Sequence, residues 1–245
     1  KRQVTTKAEA SDGGFRLTGE KTQVLDAVGA DAVIVPARIS GESGDRDGLT
    51  LFLVETSASG VSVTGQTRVD HRNAAIVSLD GVEVTSAAVV GIEGQGADLI
   101  DEVIDRATCV LTAEMLGGMS EAFDLTVEYL KTREQFGVRI GTFQGLQHRA
   151  AEIFCEIELA RSCVMAAARA LDAGDADASK LVSLAKAKCS EAYLLSANEG
   201  VQIFAGVGMT DEYDIGFYLK RARAAELTFG DAAYHRNRWA ELGSY

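Results

Sequence analysis

Apolar residues recur in this sequence with two different periods, and the change from one to the other falls around Gly94–Gly96. Up to about Gly91 the apolar runs are short, alternating and β-branched, and they are broken by clusters such as Asp12-Gly13-Gly14 and Gly41–Asp47. That pattern predicts strands over Phe15–Val24, Ala32–Pro36, Thr50–Val54, Val61–Val63 and Ala75–Leu79. From about Ala97 the spacing becomes three and four. It predicts helices over Ala97–Thr132, Phe143–Ala173, Ala176–Ala205, Tyr213–Phe229 and Ala232–Leu242. In the first of these, Ala122, Phe123, Thr126, Tyr129 and Leu130 form one apolar face; in the second, Phe143, Leu146, Ala150, Ile153, Ile157 and Ala160 form a continuous stripe. The expected fold is α+β: a small antiparallel β-domain over residues 1–93, followed by a C-terminal four-helix-bundle domain over residues 94–245. No internal repeat is visible.

A chain of 245 residues can bury a large core, and its hydrophobic content of 47% marks it as globular. The formal net charge of -12 argues against a nucleic-acid or anionic-membrane footprint, and no apolar run reaches spanning length. Cys109, Cys155, Cys163 and Cys189 follow no metal-ligand spacing, and are read as reduced core residues of a cytoplasmic protein. His71, His148 and His235 are isolated, so neither a metal set nor a nucleophile arrangement is expected. The first residue is not Met and no signal peptide opens the chain, which suggests residues missing upstream.

The most informative stretch runs from Glu114 to Arg149: a long helix, a connection bracketed by Gly137 and Gly141, and a second helix that Thr142 is placed to cap. Arg133 and Gln144 flank that connection, so two planar hydrogen-bonding groups are set to converge on one ligand. Arg133 either grips phosphate oxygens in pairs or closes the helix end beside Glu134. Arg133, Phe136, Gly137 and Gln144 fall at the spacing of the acyl-CoA dehydrogenase family, flavoenzymes that desaturate acyl thioesters, and this stretch resembles that family's signature. Gln202–Asp231 resembles the segment that carries the family's adenine site and catalytic loop. Asp12–Arg38 and Leu79–Gly91 look like its central β-domain. The family's N-terminal helical domain has no counterpart in this sequence.

The resemblance implies FAD, with Arg133 reaching the pyrophosphate of a neighbouring subunit's cofactor and Phe136 and Gln144 beside it. Gln202, Gly206 and Gly208 match the adenine side, where small residues admit the ligand or merely end a helix. One family glycine there is Ala205, a mild departure. The flavin-edge triplet matches Gln23, Val24 and Leu25, and Leu25 cannot offer the expected hydroxyl. Asp231 stands where a Thr is usual.

The catalytic base departs furthest. The family's Glu aligns with Phe229, and the alternative position used by some members holds Ala107. A backbone N–H at residue 229 can still donate to a thioester oxygen. Substitute carboxylates would be Glu226, Asp231, Glu102, Asp105 or Glu114; in the bland reading Glu226 pairs with Arg223 or Lys220 and Asp231 caps the last helix. The expectation is therefore a base-lacking subunit of a heteromeric acyl-CoA dehydrogenase, with FAD shared across an unlike interface. It would form a tetramer and use an electron-transfer-flavoprotein type of acceptor. The alternatives are a self-sufficient dehydrogenase with a relocated carboxylate and a helical scaffold with no redox role.

Overall fold

The computed structural model describes residues 3–245. The first compact unit ends at Val103 and the second begins at Ile104. Seven strands build the sheet of the first unit: β1 (Lys7–Ser11), β2 (Gly14–Leu25), β3 (Ala32–Arg38), β4 (Leu49–Glu55), β5 (Val61–Gly65), β6 (Ala74–Thr85) and β7 (Val89–Val90). Their spatial order is β5-β6-β2-β1-β3-β4-β7. Among the described residues these strands pair with one another antiparallel, except that β1 meets β3 in parallel at Lys7↔Arg38. Pro36 lies on β3 short of that bridge, where its missing N–H costs no ladder bond.

Alternation decides which face is buried. Phe15 and Leu17 on β2 turn inward while Arg16 and Thr18 face water, and the Phe15 ring stands edge-on to Phe52 with centroids 5.1 Å apart. Val35, Ala37, Val54, Val77 and Val82 complete this core. Two register shifts in the β2–β6 ladder bend the strand, and Gly19 is required at the first because a Cβ there would fall 2.8 Å from Thr6 Cα. The guanidinium of buried Arg38 is absorbed by backbone, donating to the carbonyls of Val4, Asp45 and Asp47.

Five helices follow: α1 (Gly96–Thr132), α2 (Gln144–Ala173), α3 (Ala178–Phe204), α4 (Ile215–Leu227) and α5 (Ala232–Leu242). The division between the compact units falls inside α1. In the second unit the inner parts of the predicted faces are buried, Ala122, Thr126, Tyr129 and Leu130 from α1 and Ile153, Ile157 and Ala160 from α2. Phe123, Leu146 and Ala150 are half-buried, and Phe143, expected at the head of the α2 stripe, is 38% exposed at the N-cap. The buried faces meet α3 through Cys189, Ala192, Tyr193 and Ala197. The α1–α3 crossing is close, since a Cβ on Gly118 would lie 2.3 Å from the Tyr193 hydroxyl. Helix α2 stops on Gly174 at φ +63°, a left-handed cap.

Three local expectations change. The connection after α1 is a small hairpin, β8 (Glu134–Gln135) and β9 (Val138–Arg139). Thr142 does not cap α2: its hydroxyl donates to Arg139 O at 2.7 Å, and Phe143 holds the N-cap place without a side-chain bond. Cys155 is exposed and Cys163 half-buried, because both sit off the inner stripe of α2; only Cys109 and Cys189 are core thiols. Burial pushes the Cys189 thiol up to about 12. Among the described residues no helix is long and apolar enough to cross a membrane.

Candidate functional site

In the second unit a cleft of about 820 Å3 lies between the end of α1, the β8–β9 hairpin, the start of α2 and the end of α3. Each edge has a local cause. The hairpin turns on Phe136 and Gly137, with φ +56° and +79°, which is the turn geometry that matches strand twist in a two-residue connection. Gly137 adopts it freely; Phe136 does so at a cost of about 1 kcal/mol or more. The Phe136 ring is 90% exposed and stands edge-on to Phe143 with centroids 6.1 Å apart.

Arg133 leaves α1 at the rim of the cleft, exposed, and makes no ion pair among the described residues. Opposite it, the first turn of α2 presents backbone N–H groups that no capping side chain satisfies. Arg149 also lines the cleft but is tied to Glu199 at 2.8 Å. A free guanidinium and an uncapped helix N-terminus together favour an anion. Glu212 is the one carboxylate on the lining.

The third wall comes from the end of α3. Gln202 and Gly206 line it, and a Cβ added at Gly206 or at Gly145 would meet nothing within 4 Å, so the cleft lacks side-chain bulk at both. Tyr129 stacks on Phe204 at 4.1 Å, and Tyr213 stands edge-on to both, giving the floor a flat aromatic base. Ala205 sits at φ +56° and ψ −138°, a region that suits glycine. The departure at this position is thus a strained one, not mild. Arg133, Phe136, Gln202 and Gly206 are brought together here; Gln144 is exposed and not part of the lining, which its neighbours Phe143 and Gly145 supply, and Gly208 is buried behind it. The Tyr129–Phe204 stack, Arg149 and Glu212 were not anticipated; aromatic residues on two helix ends facing one glycine-rich turn were the available signal.

The α4–α5 turn carries Phe229, at φ +61°, half-buried against the bundle core, with Gly230 next at φ +111°. Among the described residues the Phe229 N–H has no acceptor. The nearby carboxylates are engaged elsewhere. Glu226 pairs with Arg223, Asp231 accepts Tyr234 N–H at 2.8 Å as the cap of α5, and Glu114 takes Arg221 through both oxygens. Asp105 is buried between Arg238 and Ser179, at 2.8 and 2.6 Å. Ala107, half-buried on α1, offers no acid.

In the first unit, Gln23 lies at φ +52° with its N–H donated to Gln66, while Leu25 is 43% exposed. Among the described residues no group of three or more His, Cys, Asp or Glu is arranged to hold a metal.

Residues 1–82 match the family profile "Acyl-CoA dehydrogenase, middle domain" and residues 94–242 match "Acyl-CoA dehydrogenase, C-terminal domain". The rat protein "Short/branched chain specific acyl-CoA dehydrogenase, mitochondrial" is 29% identical over 237 residues, covering 96% of this chain and 54% of its own length. The ChsE4-ChsE5 complex from Mycobacterium tuberculosis is similar with a TM-score of 0.87 and 29% identity, over 98% of this chain and 62% of that one. A variant of the Tcur3481-Tcur3483 steroid ACAD is similar with a TM-score of 0.85 and 31% identity, over 99% of this chain and 63% of that one. The chain thus spans between half and two thirds of the length of these relatives.

Proposed function

This chain belongs to the acyl-CoA dehydrogenase family, and from that premise we propose that it is the subunit without a catalytic base in a heteromeric, FAD-linked acyl-CoA dehydrogenase. The observation that carries the reading is Phe229. Desaturation needs a carboxylate within hydrogen-bond reach of the proton next to the thioester carbonyl. At the position of the family's Glu this chain has a hydrocarbon ring packed into its own bundle core, and Glu226, Asp231, Asp105 and Glu114 are each held by another partner. The unlike subunit therefore supplies the base.

The cleft fits the phosphate and adenine half of a dinucleotide. Arg133 and the start of α2 bind the pyrophosphate, Phe136 covers it, and Gln202 and Gly206 receive the adenine side above the Tyr129–Phe204 stack. Bound FAD supplies the hydride acceptor for the reaction. In this arrangement the FAD is shared: the exposed Phe136 and unpaired Arg133 reach a cofactor whose ring lies at the unlike interface. Gln23, Val24 and Leu25 contribute little to the ring. The likeness to two structures named as pairs supports this reading. It favours a fatty or steroid acyl-CoA as substrate, a tetrameric assembly, and an electron-transfer-flavoprotein type of acceptor.

The test is the flavin-to-chain ratio of the native complex. One flavin for each pair of unlike chains is expected. Chain expressed by itself that is monodisperse, flavin-loaded and active on an acyl-CoA would overturn the proposal.

A further inference from the structure

A smaller hollow lies wholly within the first unit, on the connection between β5 and β6. It encloses about 340 Å3, and Gln66, Thr67, Arg68, His71, Arg72 and Asn73 supply its polar lining. The chain carries a net charge of -12, yet among the described residues no carboxylate lines this hollow. Residues 66–73 hold two arginines against one aspartate, which leaves one positive charge in surplus.

That aspartate shapes the wall without lining it. The Asp70 side chain is 2% exposed, and its Oδ1 accepts Arg68 Nε at 3.2 Å and the Arg72 N–H at 3.4 Å. Both arginines are thus set on one short turn, which the His71 N–H closes onto Arg68 O at 3.1 Å. His71 itself sits at φ +53°, a left-handed backbone that costs a non-glycine residue about 1 kcal/mol. Strain of this kind gathers at ligand clamps. Asn73 ties the turn to the β2–β3 connection: its Oδ1 takes the Val28 N–H at 3.2 Å and its Nδ2 donates to Val28 O at 2.8 Å. Gln66 Oε1 is spent on the Gln23 N–H at 3.0 Å, so what Gln66 offers a ligand is its NH2 group.

The lining is therefore rich in donors: two guanidiniums, an imidazole N–H, the Thr67 hydroxyl and the Gln66 amide. A cation is repelled there, whereas guanidinium forks match the paired oxygens of a phosphate. The volume is at the low end of the range of about 300–1,000 Å3 for small-molecule sites, enough for a phosphate with a short organic group. We propose that this hollow is an anion site for the phosphate group of a small phosphomonoester or of free phosphate. Arg68 and Arg72 hold the oxygens, and His71 and Thr67 add hydrogen bonds. The site needs neither flavin nor an unlike subunit, so it stands apart from the function proposed above.

The test uses the intact protein in its native assembly at low ionic strength. Inorganic phosphate and glycerol 3-phosphate are titrated calorimetrically, with acetate for comparison, and the same samples are followed by amide hydrogen exchange. Saturable binding of either phosphate, with slowed exchange confined to residues 65–74, is the expected result. Tighter binding of the ester assigns the site to organic phosphates, and tighter binding of the inorganic ion assigns it to free phosphate. Arg72→Gln should weaken binding by about tenfold or more, the loss typical of a charge-assisted bond. Should R72Q fail to fold, His71→Gly replaces it: glycine relieves the backbone, removes the imidazole, and should weaken binding by about fivefold. Arg133→Ala should bind as the wild type does. No saturable binding, acetate bound as tightly as phosphate, protection confined to residues 133–149, affinity lost with R133A, or affinity undiminished in R72Q or its replacement would each overturn the proposal.

Discussion

The guanidinium of Arg238 on α5 lies 2.8 Å from the Asp105 carboxylate on α1, and both side chains are largely out of water. Ser179 donates to the same carboxylate oxygen at 2.6 Å, and Arg238 also reaches Ser183 at 2.9 Å. Removing one member of such a pair strands the other charge. Asp105→Ala is expected to destabilise the chain by about 3 kcal/mol, read from denaturant melts. The double variant with Arg238→Met should recover part of that loss.

Ala205 gives the opposite expectation. Its backbone at φ +56° and ψ −138° is open to glycine without strain. Ala205→Gly should raise stability by about 1 kcal/mol, seen as a higher melting temperature. It should leave the cleft unobstructed, because the side chain removed is a single methyl group.

Arg133 separates ligand binding from folding. It is exposed and unpaired among the described residues, so Arg133→Ala should leave the melting temperature unchanged. Flavin retention by the complex should fall by about tenfold or more, the loss typical of a charge-assisted bond. Arg133→Lys should recover only part of the loss, since an ammonium cannot bind phosphate oxygens as a fork. Flavin fluorescence during dialysis measures both.

His235 sets an acid limit. Burial holds its folded value at about 4, below the ordinary 6.5, so the unfolded chain takes up a proton first as pH falls. Stability from this group is complete above about 6.5, declines between there and about 4, and amounts to about 3 kcal/mol across that window. Denaturant midpoints of the wild type should drop over this range. Those of His235→Gln should be flatter, because an amide does not titrate there.

Much of the architecture was legible because each element carries its own period. The stripe Ile153, Ile157, Ala160 is buried as its spacing requires, and Asp231 caps α5 as its place before Ala232 suggests. What was not legible depends on residues far apart in the chain. Strand β1 pairs in parallel with β3 at Lys7↔Arg38, which no local pattern encodes. The β8–β9 hairpin offers two residues a side, too few for alternation to register. Lys186 did leave a trace: a cation on the same face as Val182, Cys189 and Tyr193 interrupts an apolar stripe. Only the fold reveals that its Nζ meets the carbonyls of Glu226 and Gly230, at and beyond the end of α4.

The hairpin that displays Phe136 is also a ruler. Its two turn residues join strands of two residues each, so nothing in it can absorb a change of length. One residue inserted into either strand would shift the pairing of Glu134 with Arg139 and Gln135 with Val138 and reverse the side on which the strand residues after it emerge. Substitutions within the strands should be borne readily, whereas insertions and deletions should not. A library randomised for length across residues 134–139 would return survivors of a single size.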